Sequence, residues 1–428
     1  MTNAVRRVAV LGGNRTPFAR SGGTYARAST QDLLTAALDG LIARFGLGGQ
    51  RIGEVVAGSV MKHTRDFNLT REAVLGTALD PHTPAYDIQQ ACATGMQATI
   101  AVANKIALGT IDVGISGGAD SASDAPIAVS EGLRRILLDL NRAKTPVQRL
   151  QILARFRPEH LAPVVPAAAE ARTGLSMGEH MALINKHWNI TRTEQDEVAA
   201  ASHHHLARAW DDGFFTDLVT PFLGLTRDTN LRPDTSVEKL AELKPVFGKE
   251  LGDPTLTAGN STPLTDGAAT VLLASEEWAT AHNLAPRAWF VDAETAAVDF
   301  VGGNEGMLMA PAYAVARLLE RNGLTLQDFD LYEIHEAFAS TPLALLKAWE
   351  SAEWCADKLG LDAPLGAIDR SRVNPHGGSV AAGHPFAATG ARILATTAKW
   401  LDTNGGRALV SVCAAGGLGV AAILEAAR

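Results

Sequence analysis

A chain of 428 residues is long enough for two or three domains and a large core, and 46% apolar with 20% charged residues fits a soluble globular enzyme. The net charge of −8 argues against general nucleic-acid binding. Three widely spaced cysteines make neither a disulfide framework nor a CxxC metal site, and they suggest a reducing, cytoplasmic compartment. Met1 to Arg7 holds no apolar signal core, and no uncharged apolar run reaches the length of a membrane span.

In chain order, Arg7 to Gly13 reads as a strand ending in a glycine turn, without the GxGxxG of a dinucleotide site. Thr30 to Phe45 predicts an amphipathic helix capped by Ser29 or Thr30, and Ile52 to Val60 a strand. Pro84 to Ile88 is a short apolar run, followed by an alanine-rich helical pattern from Thr94 to Leu108. Asp112 to Asp120 is a buried strand running into a glycine-rich turn. Residues 124–263 differ: helical, polar and turn-rich, they read as an inserted domain. Alternation then resumes with a strand at Gly267–Ser275, a helix at Ala310–Arg321, a strand at Phe329–Ile334 and a helix at Ser340–Glu350. A helix at Thr389–Leu401, a strand at Ala408–Cys413, a glycine loop and a strand at Val420–Leu424 complete the chain. The pattern is that of an α/β fold.

The two α/β portions resemble each other. One shift lays Gly46-Leu47 on Gly323-Leu324 and Gly58 on His335. A longer shift lays Ala93-Thr94-Gly95 on Ala388-Thr389-Gly390 and Gly118 on Cys413, the loop around Glu353 to Arg370 absorbing the difference. The shared order of elements predicts a duplication.

Four stretches carry reactive groups. Cys92 lies between a strand end and a helix start, where amide N–H groups and the helix dipole favour a thiolate, and small neighbours (Ala91, Ala93, Gly95) admit a substrate. His335 follows a strand in His335-Glu336-Ala337-Phe338; Ala339 stands where a zinc-protease motif needs its second histidine, and a hydrogen-bonded loop histidine is the alternative. His376 and His384 lie among glycines and alanines before a helix, and a structural turn needs neither. Cys413 ends a strand and opens a loop of amides suited to an oxyanion, or is a buried thiol at a tight turn. Cys355, in a loop insertion, reads as structural, and His203-His204-His205 as solvent-facing. Cysteines, histidines and amide-rich turns together suit acyl transfer through a thioester.

On the Cys92 stretch, Gly383-His384-Pro385 and the Cys413 loop, present in order and in register, the chain resembles the thiolases over nearly its whole length. The resemblance implies a duplicated five-layer αβαβα core: an N-terminal half at 1–123 completed by 264–287, a loop domain at 124–263 over the coenzyme A site, and a C-terminal half at 288–428. It implies coenzyme A thioesters as substrates, no permanently bound cofactor, no metal, and a homodimer often paired into a tetramer. By resemblance Cys92 is the acylated nucleophile, His384 its base, and Cys413 the acid/base on the acetyl-CoA methyl carbon. His335 stands where most thiolases have an Asn that holds a water in one oxyanion hole; the His-Glu-Ala-Phe sequence resembles the subgroup of the fatty-acid trifunctional-enzyme β subunit. The family loop often reads Cys-x-Gly; here Ala415 takes the glycine's place, and its N–H with that of Cys92 forms the second hole. Ser176, Met177, Arg232, Ala258 and Thr262 match coenzyme-binding positions.

The implied reaction is thiolytic cleavage of 3-ketoacyl-CoA in fatty-acid β-oxidation. The alternative is acetoacetyl-CoA thiolase in the condensation direction; a decarboxylating ketosynthase needs no second cysteine, and a non-catalytic acyl-CoA-binding protein needs no intact reactive set. Glu131 to His160 is a basic patch in an acidic protein, with apolar residues at roughly helical spacing. It reads as a solvated helical pair, or as a docking surface for a β-oxidation hydratase/dehydrogenase partner or an anionic membrane.

Overall fold

The structure is a computed structural model that describes residues 5–428; the first four residues of the stretch expected to lack a signal core lie outside it. Its strands are β1 (Val8–Arg15), β2 (Ala19–Arg20), β3 (Glu54–Ala57), β4 (Ala85–Asp87), β5 (Val113–Ser121), β6 (Thr265–Ser275), β7 (Ala288–Ala297), β8 (Leu331–Ile334), β9 (Arg407–Ala414) and β10 (Leu418–Ala426). The first half carries helices α1 (Thr30–Phe45), α2 (Leu69–Leu75) and α3 (Thr94–Ala107). Between β5 and β6 lie α4 (Glu131–Arg142), α5 (Pro146–Leu153), α6 (Met177–His187), α7 (Arg192–Asp211) and α8 (Val237–Ala241). The remainder holds α9 (Glu276–Ala281), α10 (Ala310–Asn322), α11 (Ser340–Glu350), α12 (Ala352–Trp354), α13 (Ser379–Ala382) and α14 (Thr389–Asn404).

Strand order runs β4-β3-β5-β6-β1-β7-β10-β9-β8, and the two halves join where β1 pairs antiparallel with β7. Read outward from that seam, each half repeats one plan: β1-β6-β5-β3-β4 on one side and β7-β10-β9-β8 on the other. The place of β4 is taken in the second half by Val373, which bridges Tyr332 in parallel as Tyr86 pairs with Val56. Helix ends repeat too: Gly46 and Gly323 close α1 and α10 in the left-handed conformation, at φ 65° and 63°. The duplication expected from the sequence is therefore visible in strand order, and the sheet is continuous across the seam.

Three apolar clusters separate the layers. One lies between the first half-sheet and α1 and α2, with Leu33, Leu38, Val55 and Leu272. Another lies between the second half-sheet and α10 and α11, with Val315, Leu318, Leu345 and Ile423. The largest holds α3 and α14 against the inner faces of both halves, through Met96, Val102, Ile393, Leu394, Val271 and Val410. Every residue of α14 from Thr389 to Ala398 is buried, and most of the side chains there are small. Two readings need correction. β3 is shorter than Ile52–Val60, because Gly53 abuts the Val113 carbonyl and the chain leaves the sheet after Ala57. β7 was not expected: its outer side carries Asp292 and Glu294, which pair with Arg321 of α10 and interrupt the apolar alternation.

Candidate active site

The turn before Cys92 is strained. Ala91 has φ +44°, a left-handed conformation costly for a residue with a Cβ. Thr94 holds the turn closed: its hydroxyl donates to the Ala91 carbonyl (2.7 Å) and accepts the Gln90 N–H (2.9 Å). Cys92 thus sits just ahead of α3, almost wholly buried at 7% exposure. The Ala-Thr-Gly that opens α3 recurs at the start of α14, and the two glycines touch. A Cβ on Gly95 would lie 2.7 Å from the Ala391 nitrogen, and one on Gly390 2.6 Å from the Met96 nitrogen. This backbone-to-backbone approach brings the segment bearing His384 against the segment bearing Cys92.

His384 is fixed from both sides. Its N–H donates to Thr265 Oγ1 (3.1 Å), and Gly383 before it, at φ +102°, leaves no room for a side chain beside Thr265. Its Nδ1 lies 2.6 Å from Thr389 Oγ1, which is 3.0 Å from the Pro385 carbonyl. A carbonyl only accepts, so the Thr389 proton goes to Pro385 and the Thr389 oxygen accepts Nδ1–H. His384 Nε2 is then a bare lone pair, buried and without a protein partner among the described residues. Burial, helped by the Arg392 charge, pushes the imidazole down to about 3.

His335 reaches the same place from the end of β8, its N–H bonded to the Ser411 carbonyl (2.9 Å). Its ring centroid is 4.4 Å from that of His384, and its Nε2 is likewise buried and unpartnered. Burial, His384 and the Arg392 charge hold it well below the usual histidine range. Cys413, at the end of β9, is made harder to ionise by burial and, further, by the charge of Cys92 nearby. Gly416 and Gly417, at φ +79° and +71°, turn the loop that follows, and the Ala415 N–H donates toward the Cys92 sulfur.

Cys92 departs from the expectation of a stabilised thiolate. The Ala415 and Cys92 amides do favour the anion, yet burial outweighs them and the buried Asp120 charge adds to it, pushing the thiol up to about 12. The Cys92 thiol and the His384 imidazole are therefore both neutral at rest. Asp120 was not singled out from the sequence, although a carboxylate ending an apolar strand was a usable signal. It accepts from Ser59 Oγ (2.8 Å) and the N–H groups of Val60 (2.9 Å), Met61 (2.8 Å) and Ala387 (2.7 Å), tying the ends of β3 and β5 to the turn before α14.

A thiol, a lone-pair imidazole, a second thiol and converging N–H donors thus meet where the duplicated halves touch. Residues 8–277 match the family model described as thiolase, N-terminal domain, and residues 284–426 that described as thiolase, C-terminal domain. The chain belongs to the thiolase family. A 3-ketoacyl-CoA thiolase of Pectobacterium atrosepticum is 44% identical over 98% of this chain and 96% of its own length. One of Yersinia enterocolitica is 42% identical over 98% and 97%. The Bacillus anthracis acetyl-CoA acetyltransferase structure aligns with a TM-score of 0.82 at 30% identity, covering 99% of this chain and 100% of its own. Human mitochondrial 3-ketoacyl-CoA thiolase in complex with CoA aligns at 0.80 and 28% identity, covering 98% of each.

The other residues expected in a thiolase site fall in different places. Thr262 adjoins the His335 turn, donating its hydroxyl to the Ala337 carbonyl (2.9 Å), while Ser261 bridges Phe338. Ala258 is exposed in the same segment. Ser176 caps α6, its hydroxyl exchanging hydrogen bonds with Glu179, and Met177 follows half-buried. Arg232 is exposed, and its N–H donates to His203 Nδ1 (3.2 Å). That corrects the reading of the three histidines: His203 is buried, because it faces the chain returning at Arg232, while His204 is exposed and His205 half-buried. His376 is not part of the cluster; it stacks on Phe214 at 3.8 Å. Cys355 is buried, its sulfur against the Ala348 and Trp349 carbonyls. No group of three or more His, Cys, Asp or Glu suited to a metal occurs among the described residues.

Proposed function

We propose that this thiolase cleaves 3-ketoacyl-CoA with coenzyme A, giving acetyl-CoA and a shortened acyl-CoA, in fatty-acid β-oxidation. The observation that carries the reading is two buried pairs, His335 with His384 and Cys413 with Cys92, on segments packed together through α3 and α14, with both imidazole Nε2 atoms unpartnered among the described residues. In this reading the His384 lone pair takes the Cys92 proton as sulfur attacks the 3-keto carbon, which suits a thiol that is not ionised at rest. His335 Nε2–H, directly or through a water, stabilises one oxyanion, and the Cys92 and Ala415 N–H groups stabilise the other. The bond to the methylene carbon breaks, and Cys413 protonates the departing acetyl-CoA carbanion. The second coenzyme A then takes the acyl group from Cys92.

Residues 124–263 form the loop domain over coenzyme A in this reading, with Ser176, Met177, Arg232, Ala258 and Thr262 along it. Full-length similarity to relatives named 3-ketoacyl-CoA thiolase supports 3-ketoacyl-CoA as the substrate, and the similarity to an acetyl-CoA acetyltransferase supports acetoacetyl-CoA as a second one. The outer edge of β4, paired only with β3 among the described residues, supports a homodimer through strand edges. The test is intact mass after incubation with acetoacetyl-CoA. Wild type gains an acetyl group and Cys92→Ala does not; an adduct on the variant removes Cys92 as nucleophile.

A further inference from the structure

The two imidazoles at the site must play opposite parts, one accepting a proton and one donating a hydrogen bond. Nothing in a histidine fixes which ring nitrogen carries its hydrogen; the partner of the other nitrogen does. For His384 that partner is Thr389, whose proton is committed to Pro385. For His335 it is the Ser379 hydroxyl, 3.1 Å from Nδ1. Ser379 differs from Thr389 in one respect: Arg392 Nη2 donates to its oxygen at 2.8 Å.

A guanidinium has no acceptor, so Arg392 occupies a lone pair on Ser379 and leaves its hydroxyl proton to be placed. Among the described residues, His335 Nδ1 is the only acceptor that proton meets. All three side chains are buried, at 0% exposure for Ser379, 2% for His335 and 4% for Arg392, so solvent does not offer a substitute. Arg392 is anchored on α14 and Ser379 opens α13, both within the turn system that carries His384.

We propose that Arg392 and Ser379 are positioning residues that hold His335 as the Nε2–H tautomer, making it a hydrogen-bond donor to the substrate oxygen, while Thr389 and Pro385 hold His384 as the opposite tautomer. This deepens the function proposed above and rests on it. The relay explains how a histidine serves where an amide side chain would present its donor without any tautomer choice. Burial, with His384 and the Arg392 charge, keeps His335 neutral, and the Ser379 hydroxyl on Nδ1 leaves its single proton for Nε2.

The test uses the full-length protein labelled with nitrogen-15 histidine. Long-range proton–nitrogen spectra show which ring nitrogen is protonated, and His335→Asn assigns the His335 signals. Wild type is expected to show Nε2–H for His335 and Nδ1–H for His384. In Ser379→Ala, His335 shifts toward Nδ1–H and kcat falls about 10²-fold, the loss typical of one oxyanion donor. KM for acetoacetyl-CoA is expected to move less than about threefold, since ground-state binding is untouched. Alkylation of Cys92 by iodoacetamide stays at the wild-type rate, because His384 is unaffected, and Ser379→Thr restores most of kcat. Nδ1–H at His335 in wild type overturns the proposal even where Ser379→Ala fails to fold. Unchanged kcat in Ser379→Ala, or kcat and alkylation falling together, overturns it as well. Absence of 3-ketoacyl-CoA cleavage by wild type would count against the function alone, and the spectra would still judge the relay.

Discussion

At the scale of single residues, the site works with groups that burial has made neutral. A thiol pushed up to about 12 beside an imidazole pushed down to about 3 stores no ion pair. Proton transfer must then accompany attack. Two outcomes are expected. The rate of Cys92 alkylation in wild type should climb roughly tenfold per pH unit across the alkaline range, because the sulfur, with its proton bound below about 12, ionises in proportion to hydroxide. A plateau near neutrality that survives His384→Ala would show a preformed thiolate instead. His384→Ala should lower kcat by about 10²–10⁴-fold, the range for a lost general base, and slow alkylation at neutral pH; an unchanged alkylation profile would remove His384 as proton acceptor. Cys92, His335, His384 and Cys413 were legible in the sequence because reactive side chains stood among glycines and alanines. Ser379, Thr389 and Arg392 were not, and the partners of Asp120 were not, because each acts through a hydrogen bond that only the folded turns bring about. Ser379 and Arg392 meet across α13 and α14, and Asp120 reaches Ala387 from another part of the chain.

At the scale of elements, periodicity located α1 and α11 to the residue, and the α1 cap at Ser29 forms a full capping box with Asp32. β7 escaped because its outward residues are charged and matched by Arg321 on another element. The element that most constrains the site is the contact between α3 and α14. Gly95→Ala would place a methyl 2.7 Å from the Ala391 nitrogen and 2.8 Å from the Ala387 carbonyl, both backbone atoms that cannot rotate away. The helices must part, at a cost of about 1–3 kcal/mol for overpacking. Gly390→Ala meets the mirror obstacle at Met96. Both variants should unfold at lower urea concentration with an unchanged slope, and lose thiolysis by more than their unfolded fraction explains. Wild-type activity in either would show that the spacing of Cys92 and His384 does not depend on this contact.

At the scale of the whole molecule, α4 and α5 stand apart from the rest. Of their residues only Ile136 is buried, while Leu137, Leu138, Val147, Leu150 and Leu153 are each between 43% and 70% exposed. Apolar exposure on this scale, beside basic side chains in a protein of net charge −8, is unlike a simple solvated face. The basic residues are not equivalent. Arg134 and Arg135 both pair with Glu131, and Arg155 pairs with Asp139, whereas Arg142, Lys144 and Arg149 have no ion pair among the described residues. Arg157, beyond α5, also has no ion pair among the described residues, while the other three free cations sit where α4 ends and α5 begins, next to Val147 and Leu150. We propose that this hairpin meets an anionic membrane surface, the apolar side chains entering the headgroup region and the cations meeting lipid phosphates. Wild type should co-sediment with vesicles containing phosphatidylglycerol at low salt and be released at high salt, where charge is screened. Arg142→Glu with Arg149→Glu should weaken binding more than Arg134→Glu with Arg135→Glu, whose charges are already half-neutralised by Glu131. Leu150→Ser with Leu153→Ser should reduce binding at any salt concentration, since it removes apolar area and leaves the charge in place. Wild type remaining in the supernatant at low salt would end the lipid reading; capture of a purified hydratase/dehydrogenase chain by the same hairpin, lost in the same variants, would assign the surface to a protein partner instead.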